Sequence, residues 1–373
     1  MHIMFVRAFL PHLDSRMNKY VRALKQKGNK VSFIGWPRGP ATGTPPVTDD
    51  GMFLYDRPAA LGGGWRNLFA LAAWNLYVIR TLYRQRQKIS AVHAVDLDSA
   101  LAAYVFCRLW RKPLVFDIYD HYADTRSIGG PARAVFCAIE RFIARHADLT
   151  LLADESRYRQ HGLEHDAHIM VVENVPDSEV DAIALDPADP GPIRIGYLGV
   201  FEPRHRGLEN LLEAFAGMPG IALHFGGYGP LNDRLKAASE QHENVYLHGP
   251  LTHEAGMSML SNMHCTVGFY HLSVPNHRYA APNKSYEHLL LGRPLLTTRD
   301  TPPGIRVEQE QSGWALEESV QALHAWRDGV SMQELAIRGR RARLLWDTRY
   351  KHYSANTLAG LYHDRLLAMT RRG

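Results

Sequence analysis

The chain predicts an α/β protein of two doubly wound domains, on three observations. Short β-branched runs alternate with longer helical patterns, the alternation restarts at Ile193 behind a stretch rich in Pro and Asp, and 373 residues suffice for two cores. The first series reads as strands at His2–Val6, Val31–Gly35, Ala91–Ala94 and Leu114–Ile118, with helical patterns over 16–27 and Ser99–Leu109 between them. Gly28 behind Lys25 and Lys27 stops the first helix, and Gly35-Trp36-Pro37 stops the second strand. The second series reads as strands at Ile193–Leu198, Ala222–Phe225, Val245–Leu247, Cys265–Phe269 and Leu295–Thr298. Its helices fall at Leu208–Phe215, Leu231–Glu240, Glu254–Leu260 and Ser285–Leu291. Residues 1–175 are thus expected as a first domain, 176–192 as a surface linker, 193–345 as a second domain, and 346–373 as a C-terminal helix placed to pack back on the first. Two such domains would face each other across a cleft, with ligands outside the carboxyl ends of the strands, so reactive groups are expected on post-strand loops.

Composition narrows the class. Hydrophobic residues make up 46% and charged residues 22%, which excludes a disordered or collagenous chain. Cys107, Cys137 and Cys265 are odd in number, widely spaced and free of any CxxC pair, so neither a disulfide framework nor a zinc ribbon is expected and a reducing cytoplasm fits. The formal charge of +5 favours an anionic partner. No helix-turn-helix or RNP pattern is visible and the aromatics are not clustered with Lys and Arg on a strand, so nucleic acid is not the expected one. The first residues meet Arg7 and Pro11 too early for a signal peptide, and no run of 18 apolar residues occurs.

The chemistry concentrates in three stretches. In Ala281-Pro-Asn-Lys-Ser-Tyr-Glu-His288, Pro282 and Asn283 mark a helix start, so the free N–H groups of residues 283–286 are expected to form an anion site beside Lys284. Glu287 lies one turn inward, where a carboxylate can accept hydrogen bonds from two vicinal hydroxyls. An ordinary capped helix with a solvated Lys and Glu gives the same local signals. Gly196-Tyr-Leu-Gly-Val-Phe-Glu-Pro-Arg-His-Arg-Gly207 puts Arg204 and Arg206 near another helix start, with Gly199 open to close backbone approach; a basic surface loop is the plainer reading. Phe225-Gly-Gly-Tyr-Gly-Pro230 ends a strand in flexible backbone that suits either a base-contacting loop at Gly227 and Tyr228 or a tight turn.

These stretches, YLGVFEPRHRGLENLLEAF, HFGGYGPLNDRL and PNKSYEHLLLGRPLL, with NVYLHGPLTHEAGMSMLSNMHCTVGFY between the last two, resemble the donor-binding half of GT-B glycosyltransferases, particularly the retaining family numbered four. SRMNKYVRALKQKGNKVSFIGW, HAVDLDSALAAY, KPLVFDIYDHYAD and ADLTLLADESRYRQHG are similar to the acceptor half of bacterial members, so the resemblance spans nearly the whole chain. It implies a GT-B fold and transfer of a hexosyl group from a UDP- or GDP-sugar to a glycan, with a polyprenyl-diphosphate-linked oligosaccharide of exopolysaccharide, capsule or lipopolysaccharide assembly as acceptor. By position it implies that Glu287 holds the ribose, that Lys284 and Arg206 neutralise the donor diphosphate, and that Gly199, Asn283 and Ser285 complete the cradle, with Arg204, Gly227 and Tyr228 also on the nucleotide. Growing charge on the departing phosphate is then met by fixed cations and dipoles. No metal or cofactor is implied.

The chain departs from the family's pattern at Val200, where arginine is usual, at Tyr279, where an acid is usual, and at Tyr119, where histidine is usual. Asp120, or Asp124, could then serve as a general base in an inverting reaction, as in GT-B exopolysaccharide glucuronosyltransferases; retention stays the favoured outcome. Tyr119, His121, Asp124 and Tyr279 are expected as acceptor or sugar contacts. A sugar-nucleotide epimerase or hydrolase of the same fold is the rival activity. Asp96-Leu-Asp98 with His93 imitates a metal pair but lacks a full ligand set, and the other histidines are scattered without HExxH spacing. Residues 65–88 combine Trp65, Trp74 and Tyr77 with Arg66, Arg80, Arg84, Arg86 and Lys88, which fits either a helix on an anionic membrane surface or a buried helix with a basic last turn. A peripheral location on the inner face of the plasma membrane is the corresponding expectation.

Overall fold

Every strand that the alternation predicts is present, and all of them pair in parallel. The computed structural model describes residues 1–10, 14–37, 51–57, 66–177, 180 and 183–372; Pro11, Trp65, Ser178, Glu179, Asp181 and Ala182 lie outside the described residues, as does the side chain of Arg66. The chain divides into two compact units, Met1–Glu173 with His352–Gly373, and Asn174–Lys351. The stretch 176–192, read from its composition as a linker, thus falls within the second unit.

The first unit carries seven strands: β1 (His2–Arg7), β2 (Lys30–Gly35), β3 (Met52–Leu54), β4 (Ala91–Val95), β5 (Leu114–Ile118), β6 (Leu149–Leu152) and β7 (Ile169–Val171), in the order β3-β2-β1-β4-β5-β6-β7. The second carries β8 (Ile193–Val200), β9 (Ile221–Tyr228), β10 (Val245–Gly249), β11 (Cys265–Gly268), β12 (Leu295–Thr298) and β13 (Gly313–Leu316), in the order β10-β9-β8-β11-β12-β13. Counted within its own unit, the first sheet runs 3-2-1-4-5-6-7 and the second 3-2-1-4-5-6, the doubly wound order whose direction reverses beside the first strand. That reversal leaves a crevice at the carboxyl ends of β1 and β4 in one unit and of β8 and β11 in the other.

Near-continuous apolar strands such as Ile3–Val6 and Leu295–Leu296 are buried on both faces, as parallel sheets require. In the first unit one face packs Trp74, Val78 and Leu82 with Phe106 and Ile143, and the other packs Met17, Tyr20 and Leu24 with Leu358, Tyr362 and Leu366 from the C-terminal segment. Each fully buried leucine there contributes about 1.5–3 kcal/mol. A buried polar chain adds direction to this packing. Arg16 donates to Asp117 at 3.0 Å and to the Val172 carbonyl at 2.6 Å, while His93 lies 3.4 Å from Asp117 through Nε2 and 2.7 Å from the Tyr362 hydroxyl through Nδ1. Burial pushes the Asp117 carboxyl up, but Arg16 and His93 together hold it below the usual carboxylate range. Asp117 is therefore a structural anion that ties three elements together.

Candidate active site

In the second unit the crevice is built from backbone. Strands β8 and β9 run on past the core, so that Gly199 pairs with Gly227 and Val200 with Tyr228. Both glycines have left-handed φ, +148° and +139°, and a Cβ on Gly227 would run into the Gly199 carbonyl. Only glycine allows the two strand ends to close this tightly. Tyr197, inward-facing on β8, donates from its hydroxyl to the Val200 carbonyl at 2.7 Å and thereby curls the strand end; burial pushes its phenol up to about 12.

Lys284 opens the helix Lys284–Leu291 and reaches across to this corner. Its ammonium donates to the Leu198 carbonyl and sits 4.7 Å from the centre of the Tyr197 ring, beside the position a Gly199 side chain would occupy. Burial holds the ammonium below the ordinary lysine range, with Glu287 working against that and Arg206 adding to it. Arg206 stands 5.0 Å over the Tyr270 ring and bonds Glu202 at 3.0 Å. Glu287 is only 8% exposed, yet no hydrogen bond or ion pair engages its carboxylate among the described residues. Lys284, Arg206, Glu287, Gly199 and Gly227 therefore gather at one strand edge, although nearly ninety residues separate the first glycine from the glutamate. Ser285 contributes a buried hydroxyl without a partner.

The helix start differs from expectation in one respect. Ser285 N–H donates to the Pro282 carbonyl at 3.2 Å and Tyr286 N–H to that of Asn283 at 2.9 Å, so a tight first turn consumes two of the four amides. Asn283 and Lys284 keep theirs. Arg204 is exposed with φ of +67°, its amide held by Glu209 at 2.6 Å, and Tyr228 is exposed at the end of β9. Tyr279 closes the short 3₁₀ turn Pro275–Tyr279 and is half-buried.

In the first unit the corresponding edge collects acids. Asp120 follows β5 half-exposed, with the buried Arg157 guanidinium at 3.0 Å. Tyr119 is sandwiched by guanidinium groups, Arg7 at 4.3 Å and Arg16 at 5.1 Å, and gives its amide to Asp96 at 3.0 Å. His121 and Asp124, expected to contact acceptor or sugar, are instead turned inward. The Asp124 carboxylate is taken up by Arg133 at 2.5 Å and His121 at 3.0 Å, which leaves it no free oxygen for a substrate hydroxyl. The imitation metal pair also dissolves: Asp98 binds Arg126 at 2.6 Å, and His93 belongs to the Asp117 chain.

Asp96 is the functional candidate that sequence reasoning passed over. It follows β4 in a left-handed conformation, φ +57°, uncommon for a residue with a Cβ and a mark of local constraint. Burial pushes its carboxyl up to about 7, with Arg7 opposing and Asp98 and Asp120 reinforcing. Its place at the sheet's reversal point was a usable signal, but the DxD spelling drew attention to metal binding instead.

Residues 14–174 match the family model of the glycosyl transferase 4-like domain. The chain has the GT-B fold. Sucrose-phosphate synthase from Thermosynechococcus elongatus superposes with a TM-score of 0.71 at 15% identity, covering 98% of this chain and 99% of that one. HepE from Anabaena, in complex with UDP and glucose, gives a TM-score of 0.68 at 13% identity over 99% and 100% of the two chains. The lipopolysaccharide outer core galactosyltransferase WaaB gives 0.65 at 14% over 98% and 100%. No curated protein matches. The similarity to the solved structures is one of fold, over nearly the full length of each chain.

Proposed function

We propose that the second unit binds a UDP-sugar and that the enzyme transfers the hexosyl group, with retention of configuration, to a lipid-diphosphate-linked glycan in the assembly of a bacterial surface polysaccharide. The observation that carries the donor site is the gathering of Lys284, Arg206 and Glu287 at the ends of β8 and β9: the Glu287 side chain is largely buried while its carboxylate makes no hydrogen bond among the described residues, and vicinal ribose hydroxyls supply two donors to it. Lys284, Arg206 and the free amides of Asn283 and Lys284 then face the diphosphate. As the glycosidic bond breaks, negative charge grows on the leaving phosphate, and cations already fixed in place stabilise it without reorganising. Lys284 is suited to this, since its partners in the free protein are a neutral carbonyl and an aromatic ring. HepE's complex with UDP-glucose favours uridine over guanosine as the base. The donor is tested by incubating the enzyme with a panel of UDP- and GDP-sugars and a lipid-linked acceptor extract. Nucleotide release that depends on acceptor supports transfer; release without acceptor supports a hydrolase.

An inverting reaction has one observation in its favour. Asp96, with its carboxyl near 7, suits a general base on an acceptor hydroxyl better than a carboxylate already faced by an arginine, as Asp120 is. NMR of the anomeric proton in the product separates the two outcomes.

The acceptor's lipid is supported by the outer faces of three neighbouring helices in the first unit. Along Arg66–Gln85, Phe69 (85% exposed), Leu76 (68%) and Tyr83 recur every seven residues, while Trp74, Val78 and Leu82 fill the core. Leu101, Val105 and Leu109 are exposed on Asp96–Trp110, and Val135 and Phe142 on Gly130–His146. Exposed cations lie on or just after the same helices: Arg80, Arg84, Lys88, Arg108, Arg141 and Arg145. Exposed apolar side chains and cations on the same helices match an anionic bilayer surface. No helix of the described residues is long and apolar enough to cross a membrane. Flotation with vesicles of anionic lipid should carry the enzyme up, and Phe69→Ser with Leu76→Ser should leave it at the bottom; equal flotation with neutral vesicles would contradict the electrostatic part.

A further inference from the structure

At the amino end of the first sheet, away from the edge that carries Asp96 and Asp120, lies a cavity of about 260 Å³ that glycosyl transfer does not use. The helix Asp96–Trp110 begins at the reactive edge and ends here, and the turn Arg111-Lys112-Pro113 leads the chain into β5 at Leu114. Tyr104 and Arg108 from that helix, Arg111 and Lys112 from the turn, His146 from the end of the helix Gly130–His146, and Asp148 line it.

Three cations here meet one acid. The Asp148 carboxylate accepts the Leu114 amide at 2.9 Å. Arg108 donates to the His146 carbonyl and lies 5.2 Å over the Tyr104 ring, and Lys112 donates to the Ile89 carbonyl at 3.0 Å, so neutral groups fix both and leave their charge standing. The Arg111 guanidinium makes no hydrogen bond or ion pair among the described residues. Its backbone is left-handed, φ +49°, at a helix stop where glycine fits best, so the chain puts an arginine where the backbone favours no side chain. The ends of the two helices bring about half a negative charge each. With Asp148 they offset about two of the three cations, and the cavity stays positive.

This basic cavity continues the apolar outer face of the same helices. Leu101, Val105 and Leu109 recur every four residues along Asp96–Trp110, all exposed, and lead to it. Phe142, 49% exposed, stands edge-on to Tyr104 at 5.7 Å and packs 4.3 Å from the His146 ring. We propose that the cavity takes the phosphate of an anionic phospholipid headgroup. Forked guanidinium groups present paired N–H donors to phosphate oxygens, and the stripe beside them suits the acyl chains. Its membrane role rests on the reading of the apolar faces given above. The helix Asp96–Trp110, of 15 residues, is about 22 Å long, so a lipid held at its far end sets the direction in which the reactive edge lies along the bilayer.

The probe is dihexanoyl phosphatidylglycerol, kept monomeric in solution and titrated into the enzyme by calorimetry, with dihexanoyl phosphatidylcholine and inorganic phosphate alongside. Phosphatidylglycerol should bind at one site, phosphatidylcholine more weakly, and Arg111→Glu should weaken phosphatidylglycerol by about tenfold or more, the scale of one charge-assisted hydrogen bond. Arg84→Glu, an equal change of charge on the neighbouring helix Arg66–Gln85, should alter it less than about twofold. Equal loss in the two variants would reduce the cavity to diffuse surface charge. Arg111-dependent binding of inorganic phosphate as tight as that of the lipid would make it a site for free phosphate. Either result overturns the proposal, as does no binding of phosphatidylglycerol. Flotation with phosphatidylglycerol vesicles separates it from the membrane reading: soluble lipid bound through Arg111 by an enzyme that does not float upholds the cavity and removes the membrane face, whereas flotation without Arg111-dependent binding does the reverse.

Discussion

At the carboxyl edge of the first sheet the carboxylates come paired: Asp98 with Arg126, Asp120 with Arg157, Asp124 with Arg133. At the same edge of the second sheet, Glu287 makes no hydrogen bond or ion pair among the described residues, and Lys284 rests against a carbonyl and a ring. Two sheets that share the order 3-2-1-4-5-6, the first with one strand more, thus end in different states. Charges that already satisfy one another hold a loop in shape, whereas a cation held only against neutral groups, with a carboxylate nearby that makes no hydrogen bond, suits a place where a ligand completes them. On this comparison the proposed donor site lies at the second edge, and the first reads as a scaffold.

Breaking the second edge should have the largest effect. Lys284→Ala is expected to lower kcat by about 10²–10³, the range for losing one fixed stabiliser of a developing anion. Thermal stability should hold, because the variant removes a buried cation rather than an ion pair. A fall in melting temperature with kcat intact would return Lys284 to a structural role.

Acid should also separate the units. Burial pulls His224, His277 and His288 in the second unit down to about 4. Between that value and the ordinary 6.5 the unfolded chain takes up protons that the folded chain refuses, so stability falls as pH drops through this window. For the fully buried His288 alone the loss approaches about 3 kcal/mol. In the first unit Asp117, held low, contributes stability above the ordinary carboxylate value and loses it only as pH falls further, through its own depressed one. Urea denaturation at pH 7 and 4.5, with protease sites mapped in each unit, should show the second unit opening first; a first unit that opens ahead of it would break the contrast.

Next in size, Glu287→Gln should raise the donor KM by about 10–100-fold with little change in kcat, since ribose contact is the same in ground and transition states. Equal loss in both parameters would place Glu287 nearer the reacting bond.

The relative size of these effects bears on what the sequence made legible. Parallel strands buried on both faces are spelled in continuous apolar runs, so β1, β4, β5, β8, β11 and β12 could be read directly. β3, β6, β7 and β13, of three or four residues each, were not. Lys284 and Glu287 were legible because a helix start fixes their spacing locally. Asp96, Arg157 behind Asp120, and the cavity that Arg111 shares with His146 were not: each depends on residues brought together from separate elements, and no local pattern encodes such a meeting. His121 and Asp124 were misread for the same reason, since adjacency to Asp120 in sequence does not tell which way a side chain turns.

Two smaller effects sharpen the first edge and the second in turn. If Asp96 is the base, kcat/KM should rise with pH through about 7 in the wild type, and Asp96→Asn should flatten that limb while Asp120→Asn leaves it; a limb lost only in Asp120→Asn assigns the base to Asp120. Glu202→Gln frees Arg206 from its ion pair and should lower the donor KM by about two- to fivefold, corresponding to an exposed pair worth under about 1 kcal/mol.

The central claim is that the edge formed by Gly199, Lys284 and Glu287 takes a nucleoside diphosphate. Calorimetry with UDP addresses it without any acceptor: the wild type should bind at one site, Glu287→Gln should bind at least about tenfold more weakly, and Asp120→Asn should bind as the wild type does. No heat with UDP or GDP, or a loss in Asp120→Asn equal to that in Glu287→Gln, would contradict it.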